Sequence, residues 1–168
     1  MKMAGELGAR VVVNQIGLIP ESIDDPNHEL LRNVLSDLGQ YSQHHGAFLS
    51  CETGSEPLSH VHGLIESLPE GSLGVTLNPG NLIANGFDLR DLRSIARYVL
   101  LVHAKDSVHD RARGRGMEVP LGRGLADFPM IASVLEEHHF SGAFVIEREA
   151  AKSSFAEIEL AVQFLRNL

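Results

Sequence analysis

The chain has 168 residues, enough for one domain with a substantial core, and we treat residues 1–168 as a single domain. Its 14 basic and 22 acidic residues give a net charge of −8, which argues against nucleic acid as a partner because phosphate contacts need a basic surface. No apolar run approaches the length of a membrane span, the N-terminus lacks the apolar segment of a signal peptide, and the single Cys51 fits a reducing compartment. We therefore expect a cytoplasmic protein without a nucleic-acid or membrane partner.

Strands and helices alternate along the chain. A short helix leads into the first strand, and Asp25-Pro26 marks the start of a long helix that ends at Gly46. A long segment, residues 107–126, follows the fourth strand and is predicted as a loop whose length indicates function rather than simple connection. The predicted strands are residues 10–15, 47–52, 73–78, 98–106 and 143–147, and each is followed by a helix. Five βα units predict a parallel sheet, either doubly wound or a (β/α)₈ barrel.

The stretch 98–106 is an apolar run that ends in ionisable side chains, typical of a buried parallel strand leaving the core. Strict alternation would place His103 and Lys105 on the face of Leu101, and Leu100 with Val102 on the other face. In parallel α/β folds, chemistry is placed at the carboxyl ends of the strands.

Other predicted strands also end in polar side chains. Glu52, Asn78 and Glu147 close three of them, and His103 lies near the end of a fourth. The residues two positions before these ends are mostly small, whereas the opposite faces carry large aliphatic side chains suited to contact with helices. Two carboxylates, an amide and an imidazole on one face form a possible metal-ligand set.

The order of these strand ends, together with the segments His103-Ala-Lys-Asp106 and Gly122-Arg-Gly-Leu-Ala-Asp127-Phe128, resembles the xylose isomerase-like TIM-barrel superfamily. That superfamily includes sugar isomerases, sugar epimerases, inosose dehydratases and endonuclease-four-like repair enzymes. The resemblance covers nearly the whole chain, as strands four to eight of the barrel, and so implies a partial (β/α)₈ barrel. Because the first three βα units have no counterpart, we expect a homo-oligomer or a partner that supplies the missing strands.

The resemblance also implies roles for individual residues. A divalent metal would be held by Glu52, Asn78, His103 and Glu147, and the two glutamates would also transfer protons on either side of a substrate carbon. Substrate contacts are implied for Asn81, Lys105, Asp106 and Arg115, or for Arg113 in place of Arg115. Lys105 and Asp106 could equally form an ion pair at the strand end.

An oxygen-rich ligand set with one imidazole suits Mg²⁺, Mn²⁺ or Co²⁺, and Zn²⁺ is possible. Such an ion can polarise a sugar carbonyl while a carboxylate removes the neighbouring proton. The resemblance thus predicts a sugar or sugar-phosphate isomerase or epimerase with a small-molecule sugar substrate. Two alternatives stay open: a non-catalytic or vestigial sugar-binding domain whose metal site is eroded at Asn78 and Asn81, and a zinc-dependent DNA-repair endonuclease-like protein. The acidic charge places the nuclease last.

Overall fold

A computed structural model describes residues 1–110, 114, 116–149 and 154–168, so Arg113 and Arg115 lie outside the described residues. In chain order its elements are α1 (Lys2–Glu6), β1 (Val11–Asn14), α2 (Pro26–His45), β2 (Phe48–Glu52), α3 (Leu58–Glu66), β3 (Gly74–Leu77), α4 (Pro79–Ala84), α5 (Leu92–Ile95) with a 3₁₀ turn (Ala96–Tyr98), β4 (Val99–Ala104), β5 (Asp106–Val108), β6 (Met117–Val119), α6 (Phe128–Glu137), β7 (Ala143–Ile146) and α7 (Ser154–Arg166).

Five strands form one parallel sheet in the order β1-β2-β3-β4-β7, and this sheet is a half-barrel. The predicted partial (β/α)₈ barrel is therefore confirmed. The order follows the chain because each helix returns the polypeptide to the same end of the sheet, where the next strand pairs with the last. All five strands consequently place their carboxyl ends at one edge. In the part of the chain that the structure describes, no helix is long and apolar enough to cross a membrane.

The hydrophobic core lies between the sheet and its helices. Leu49, Val75 and Val102 are buried strand side chains of this core, and Phe128 and Ile131 of α6 are buried with them. The alternation of small and large residues predicted this arrangement. Cys51 belongs to the same layer, and burial raises the pKa of its thiol to about 12. Cys51 is therefore a packing residue rather than a nucleophile.

Helix α2 begins where the sequence predicted. The Asp25 side chain accepts a hydrogen bond from the Asn27 N–H at 2.8 Å, and Pro26 occupies the first helical turn. The helix ends before Gly46, which is left-handed with φ 68°. These local signals fix the length of α2 before any tertiary contact is considered.

Strand β4 departs from strict alternation. Val75 pairs with Val99 and Thr76 with Leu101, so that Leu100 is an extra residue between two consecutive pairs. Alternation predicted that Leu100 and Val102 share a face, and because of the extra residue they do not. The Leu100 Cδ1 lies only 2.3 Å from where a side chain on Gly74 would begin, so any larger residue at position 74 would force the Leu100 side chain to move. From Leu101 onward the pairing is regular, so His103 shares the face of Leu101, as predicted.

The segment predicted as a loop over residues 107–126 contains regular structure. Strands β5 and β6 pair antiparallel, with Ser107 opposite Glu118, and the hairpin is attached to α4 by a hydrogen bond of 2.8 Å from the Gly116 N–H to the Ala84 carbonyl. The prediction missed this hairpin because each strand has only three residues, too few to show alternation.

The half-barrel leaves two strand edges open among the described residues. Strand β1 pairs only with β2, and β7 pairs only with β4. On the edge strand β7, Val145 keeps 43% of its surface exposed, and on the inner strand β2, Phe48 keeps 44%. Covering roughly 100 Å² of such apolar surface would contribute about 2.5 kcal/mol, besides pairing the free backbone groups.

We expect this chain to associate through its open edges, with a second copy or with a polypeptide that supplies further strands. Light scattering after size exclusion should give a mass above 18.3 kDa. Val145→Lys should reduce the mass because it places a charge on β7, whereas Leu160→Lys on the exposed surface of α7 should leave it unchanged. A monodisperse wild-type mass of 18.3 kDa with cooperative unfolding would contradict the expectation.

Candidate functional site

Three ionisable side chains meet at the carboxyl edge of the sheet. Glu52 ends β2, His103 lies near the end of β4, and Glu147 directly follows β7. His103 Nδ1 lies 2.8 Å from Glu52 Oε1 and 3.6 Å from Glu147 Oε2. One ligand atom from each residue lies within 4.8 Å of the other two, a cluster that could hold a metal ion. The prediction that these strand ends converge is therefore confirmed by the geometry.

Asn78 lies between the two glutamates, in a different orientation from the one predicted. It is fully buried, and its Nδ2 donates hydrogen bonds to Glu52 Oε1 at 2.8 Å and to Glu147 Oε2 at 2.9 Å. Its Oδ1 accepts a hydrogen bond from the Asn81 N–H at 2.9 Å and caps the N-terminus of α4. The carbonyl oxygen predicted as a metal ligand is thus turned toward the helix, and the amide nitrogen is turned toward the carboxylates.

Glu52 is surrounded by hydrogen-bonding groups. Burial alone would raise its pKa, but hydrogen bonds with Asn78 and His103 outweigh that effect and hold the pKa below its ordinary value. The second carboxylate oxygen, Oε2, accepts a longer hydrogen bond of 3.4 Å from Gln15 Nε2, just after β1. Glu52 is therefore an ionised carboxylate at neutral pH.

Lys105 lies next to the other glutamate. Only 7% of the residue is exposed, and its Nζ lies 3.2 Å from Glu147 Oε1 and 3.0 Å from Glu149 Oε2. Burial alone would lower the pKa of Lys105, but hydrogen bonds with the two glutamates outweigh it and raise the pKa. A permanent ammonium therefore sits beside Glu147. Sequence reasoning missed Glu149, which lies two residues after Glu147 and beyond the end of β7.

Asp106, predicted as a substrate contact or as the ion-pair partner of Lys105, has a different set of partners. It is 1% exposed, and both carboxylate oxygens accept hydrogen bonds from backbone N–H groups at 2.8 to 3.0 Å. The donors belong to Ser107, Gly122, Gly124 and Ala126. The ion pair between Lys105 and Asp106 is not formed, because each side chain is turned toward other partners.

These contacts explain the glycine-containing segment that contributed to the resemblance. A side chain on Gly124 would begin 2.1 Å from Asp106 Oδ1, so only glycine allows the backbone to approach the carboxylate this closely. Asp106 thereby fixes the return of the chain from β6 to α6.

Asn81 is half-buried in the first turn of α4, with its Cβ beside Gly54. Its substrate role, like that of Arg115 outside the described residues, stays a prediction. Sequence reasoning also missed Arg148, whose guanidinium lies 2.6 Å from Glu118 on β6 and 2.5 Å from Glu157 on α7. No sequence signal indicated this cluster, since the hairpin carrying Glu118 was itself not predicted.

A half-barrel of parallel strands with a candidate metal site at their carboxyl ends places the protein among the parallel α/β barrels. Comparison with known families identifies the family. The family described as xylose isomerase-like TIM barrel matches residues 1–168, so the chain belongs to it. No curated protein matches the chain significantly.

Solved structures show the same fold. A xylose isomerase domain protein from Planctomyces limnophilus is 30% identical, with a TM-score of 0.85 over 98% of this chain and 59% of that one. A xylose isomerase-like TIM barrel protein from Mycobacterium smegmatis in complex with magnesium is 19% identical, with a TM-score of 0.74 over 98% and 62%. A D-tagatose 3-epimerase-like protein is 20% identical, with a TM-score of 0.73 over 97% and 64%. The chain thus spans less than two thirds of each of these proteins.

The partners of Asp106 predict a large effect on stability. Asp106→Ala leaves four backbone N–H groups without their acceptor, and we expect the free energy of unfolding to fall by at least about 3 kcal/mol. Urea denaturation followed by circular dichroism measures it. Asp24→Ala, an exposed aspartate, should change stability by no more than about 0.5 kcal/mol. If Asp106→Ala is as stable as the wild type, Asp106 does not stabilise the segment that leads to α6.

Proposed function

We propose that this protein is a metal-dependent sugar or sugar-phosphate isomerase or epimerase that moves a proton at the carbon next to a carbonyl. The observation that carries the proposal is the cluster of Glu52, His103 and Glu147 at the carboxyl edge of the half-barrel. The family and the D-tagatose 3-epimerase-like neighbour support sugar chemistry. Because the chain spans only part of its solved neighbours, the activity proposed is that of the site rather than of a whole relative.

The residues present fit a divalent ion. Two carboxylates and one imidazole, with ligand atoms within 4.8 Å of one another, form a donor set suited to Mn²⁺, Mg²⁺ or Co²⁺, with Zn²⁺ also possible. Glu52, His103 and Glu147 would hold the ion. When bound, it would polarise a carbonyl and a neighbouring hydroxyl of the sugar. The magnesium in the Mycobacterium smegmatis neighbour supports an ion of this kind here.

The glutamates have distinct inner and outer oxygens. Glu52 Oε1 and Glu147 Oε2 face the centre of the cluster, whereas Glu52 Oε2 contacts Gln15 and Glu147 Oε1 contacts Lys105. The inner oxygens are therefore the ones placed to hold an ion. One glutamate would remove the proton from the substrate carbon, and the other would return it on the opposite face, giving epimerisation.

Substrate contacts would come from groups around the cluster. Lys105 carries an ammonium next to Glu147 and could orient a sugar oxygen there, and Asn81 lies at the adjacent helix terminus. Asp106 does not enter the proposal, because its oxygens bind the backbone. Arg115 stays a proposed contact from a segment outside the described residues.

Metal binding should depend on the imidazole. We expect the wild-type protein to bind one Mn²⁺ and to gain thermal stability on its addition, since an ion that binds only the folded state stabilises it. His103→Gln should weaken Mn²⁺ binding at least tenfold, because losing one ligand costs about 1.4 kcal/mol or more of binding free energy. His62→Gln, which changes a half-buried histidine of α3 that pairs with Glu66, is the matched control. Elemental analysis measures the bound metal, and calorimetry measures the Mn²⁺ affinity of the wild type and of each variant. A wild-type protein that contains no metal and shows no thermal shift with Mn²⁺ contradicts the metal site.

Proton transfer should depend on Glu147. In D₂O we expect the wild type with Mn²⁺ to exchange the proton beside the carbonyl of a ketose substrate, and Glu147→Gln to slow this by about 10²-fold or more. Glu137→Gln, an exposed glutamate of α6, should exchange like the wild type. NMR spectra of the sugar follow the reaction. Persistent exchange in Glu147→Gln would remove Glu147 from the base role, and no wild-type exchange over a broad sugar panel would favour the non-catalytic sugar-binding domain.

A further inference from the structure

The amide of Asn78 uses both of its N–H groups at the candidate site. The residue is 0% exposed, and Nδ2 donates to Glu52 Oε1 at 2.8 Å and to Glu147 Oε2 at 2.9 Å. A primary amide has two such donors, so each carboxylate receives one of them. Among the described side chains, it is the one that hydrogen-bonds to both glutamates, since His103 Nδ1 is 3.6 Å from Glu147.

Asn78 is itself held rigidly. Its backbone N–H donates to Thr53 Oγ1 at 2.8 Å, directly after β2, and its Oδ1 accepts from the Asn81 N–H at 2.9 Å. The second of these contacts decides which end of the amide faces the site, because only the oxygen can accept from a backbone N–H. The nitrogen is then left pointing at the carboxylates.

A neutral donor is chemically distinct from a third carboxylate at this point. Two ionised carboxylates repel each other, and a group that donates to both offsets the repulsion without adding charge. An aspartate could still cap α4, but toward the glutamates it would present an acceptor and a further negative charge. A cation would then be required to hold the three carboxylates together.

We propose that Asn78 is a positioning residue that joins Glu52 and Glu147 in the metal-free protein, so that the order of the site does not depend on a bound cation. The consequence is a site that is formed before metal or sugar arrives and that binds metal more weakly than a three-carboxylate site. The inference rests on the proposed function only in that the joined glutamates are the proposed acid and base.

Two substitutions separate this role from helix capping. Asn78→Asp and Asn78→Ser both keep an oxygen that can cap α4, and both remove the paired N–H donors. Only Asn78→Asp adds charge. We expect each metal-free variant to melt at least about 4 °C below the wild type, with Asn78→Asp lower than Asn78→Ser.

The response to Mn²⁺ should separate the two variants further. Asn78→Asp should bind Mn²⁺ about tenfold more tightly than the wild type and recover its melting temperature, because the ion balances the added charge. Asn78→Ser should stay within about threefold of wild-type affinity and should not recover, since it adds no charge. If Asn78→Asp does not fold without metal, we expect it to fold when Mn²⁺ is added, which also shows that the ion balances the added charge. The metal-free state is then measured with Asn78→Ser.

Nitrogen-15 NMR provides a spectroscopic signature. In the metal-free wild type, one side-chain NH₂ pair should be protected from exchange with water and should disappear in both variants. Wild-type melting temperatures and affinities in both variants, or rapid exchange of every side-chain NH₂ pair, would overturn the proposal and leave Asn78 as a cap alone. If the wild type binds no Mn²⁺ and exchanges no sugar proton while the NMR and stability effects persist, the proposed function fails and the positioning role stands.

Discussion

The site depends on how two partly buried carboxylates are supplied with hydrogen-bond donors at one edge of a sheet. A carboxylate removed from water needs donors, and neighbouring strands provide them here. Glu52 from β2 has Asn78 and His103 beside it, and Glu147 after β7 has Asn78 and Lys105. Every one of these partners lies at or just beyond the carboxyl end of β3 or β4. Pairing of the strands therefore assembles the network, and a shift of register would disconnect it.

The same edge contains a second carboxylate that serves the fold alone. Asp106 directly follows Lys105, yet its oxygens bind backbone N–H groups of the segment leading to α6. Lys105 is thus free of Asp106 and turns to Glu147 and Glu149. Lys105 lies at the break between β4 and β5, and Asp106 begins β5, so one residue contacts the site and the next closes the loop. Asp106 therefore stabilises the segment that leads to α6, and its neighbour Lys105 balances the charge of the glutamates.

Much of this arrangement could be predicted from the sequence because it follows from periodicity. Parallel strands converge at their carboxyl ends, so Glu52, His103 and Glu147 were expected together. The face of Leu100 could not be predicted, since it depends on an irregular pairing with β3 and on the space above Gly74. The orientation of Asn78 was equally hidden. An amide can present either end, and the choice here is made by the Asn81 N–H, a tertiary detail of how α4 follows β3.

The half-barrel contains the candidate cluster without contributions from further strands. Its candidate ligands and their hydrogen-bond partners come from the ends of β2, β3, β4 and β7, with Gln15 following β1. The candidate cluster therefore forms while the edges of β1 and β7 are open. A partner that closes the barrel would exclude water and strengthen each electrostatic contact in the site. It would not have to bring the two glutamates together, because Asn78 already joins them from within the half-barrel.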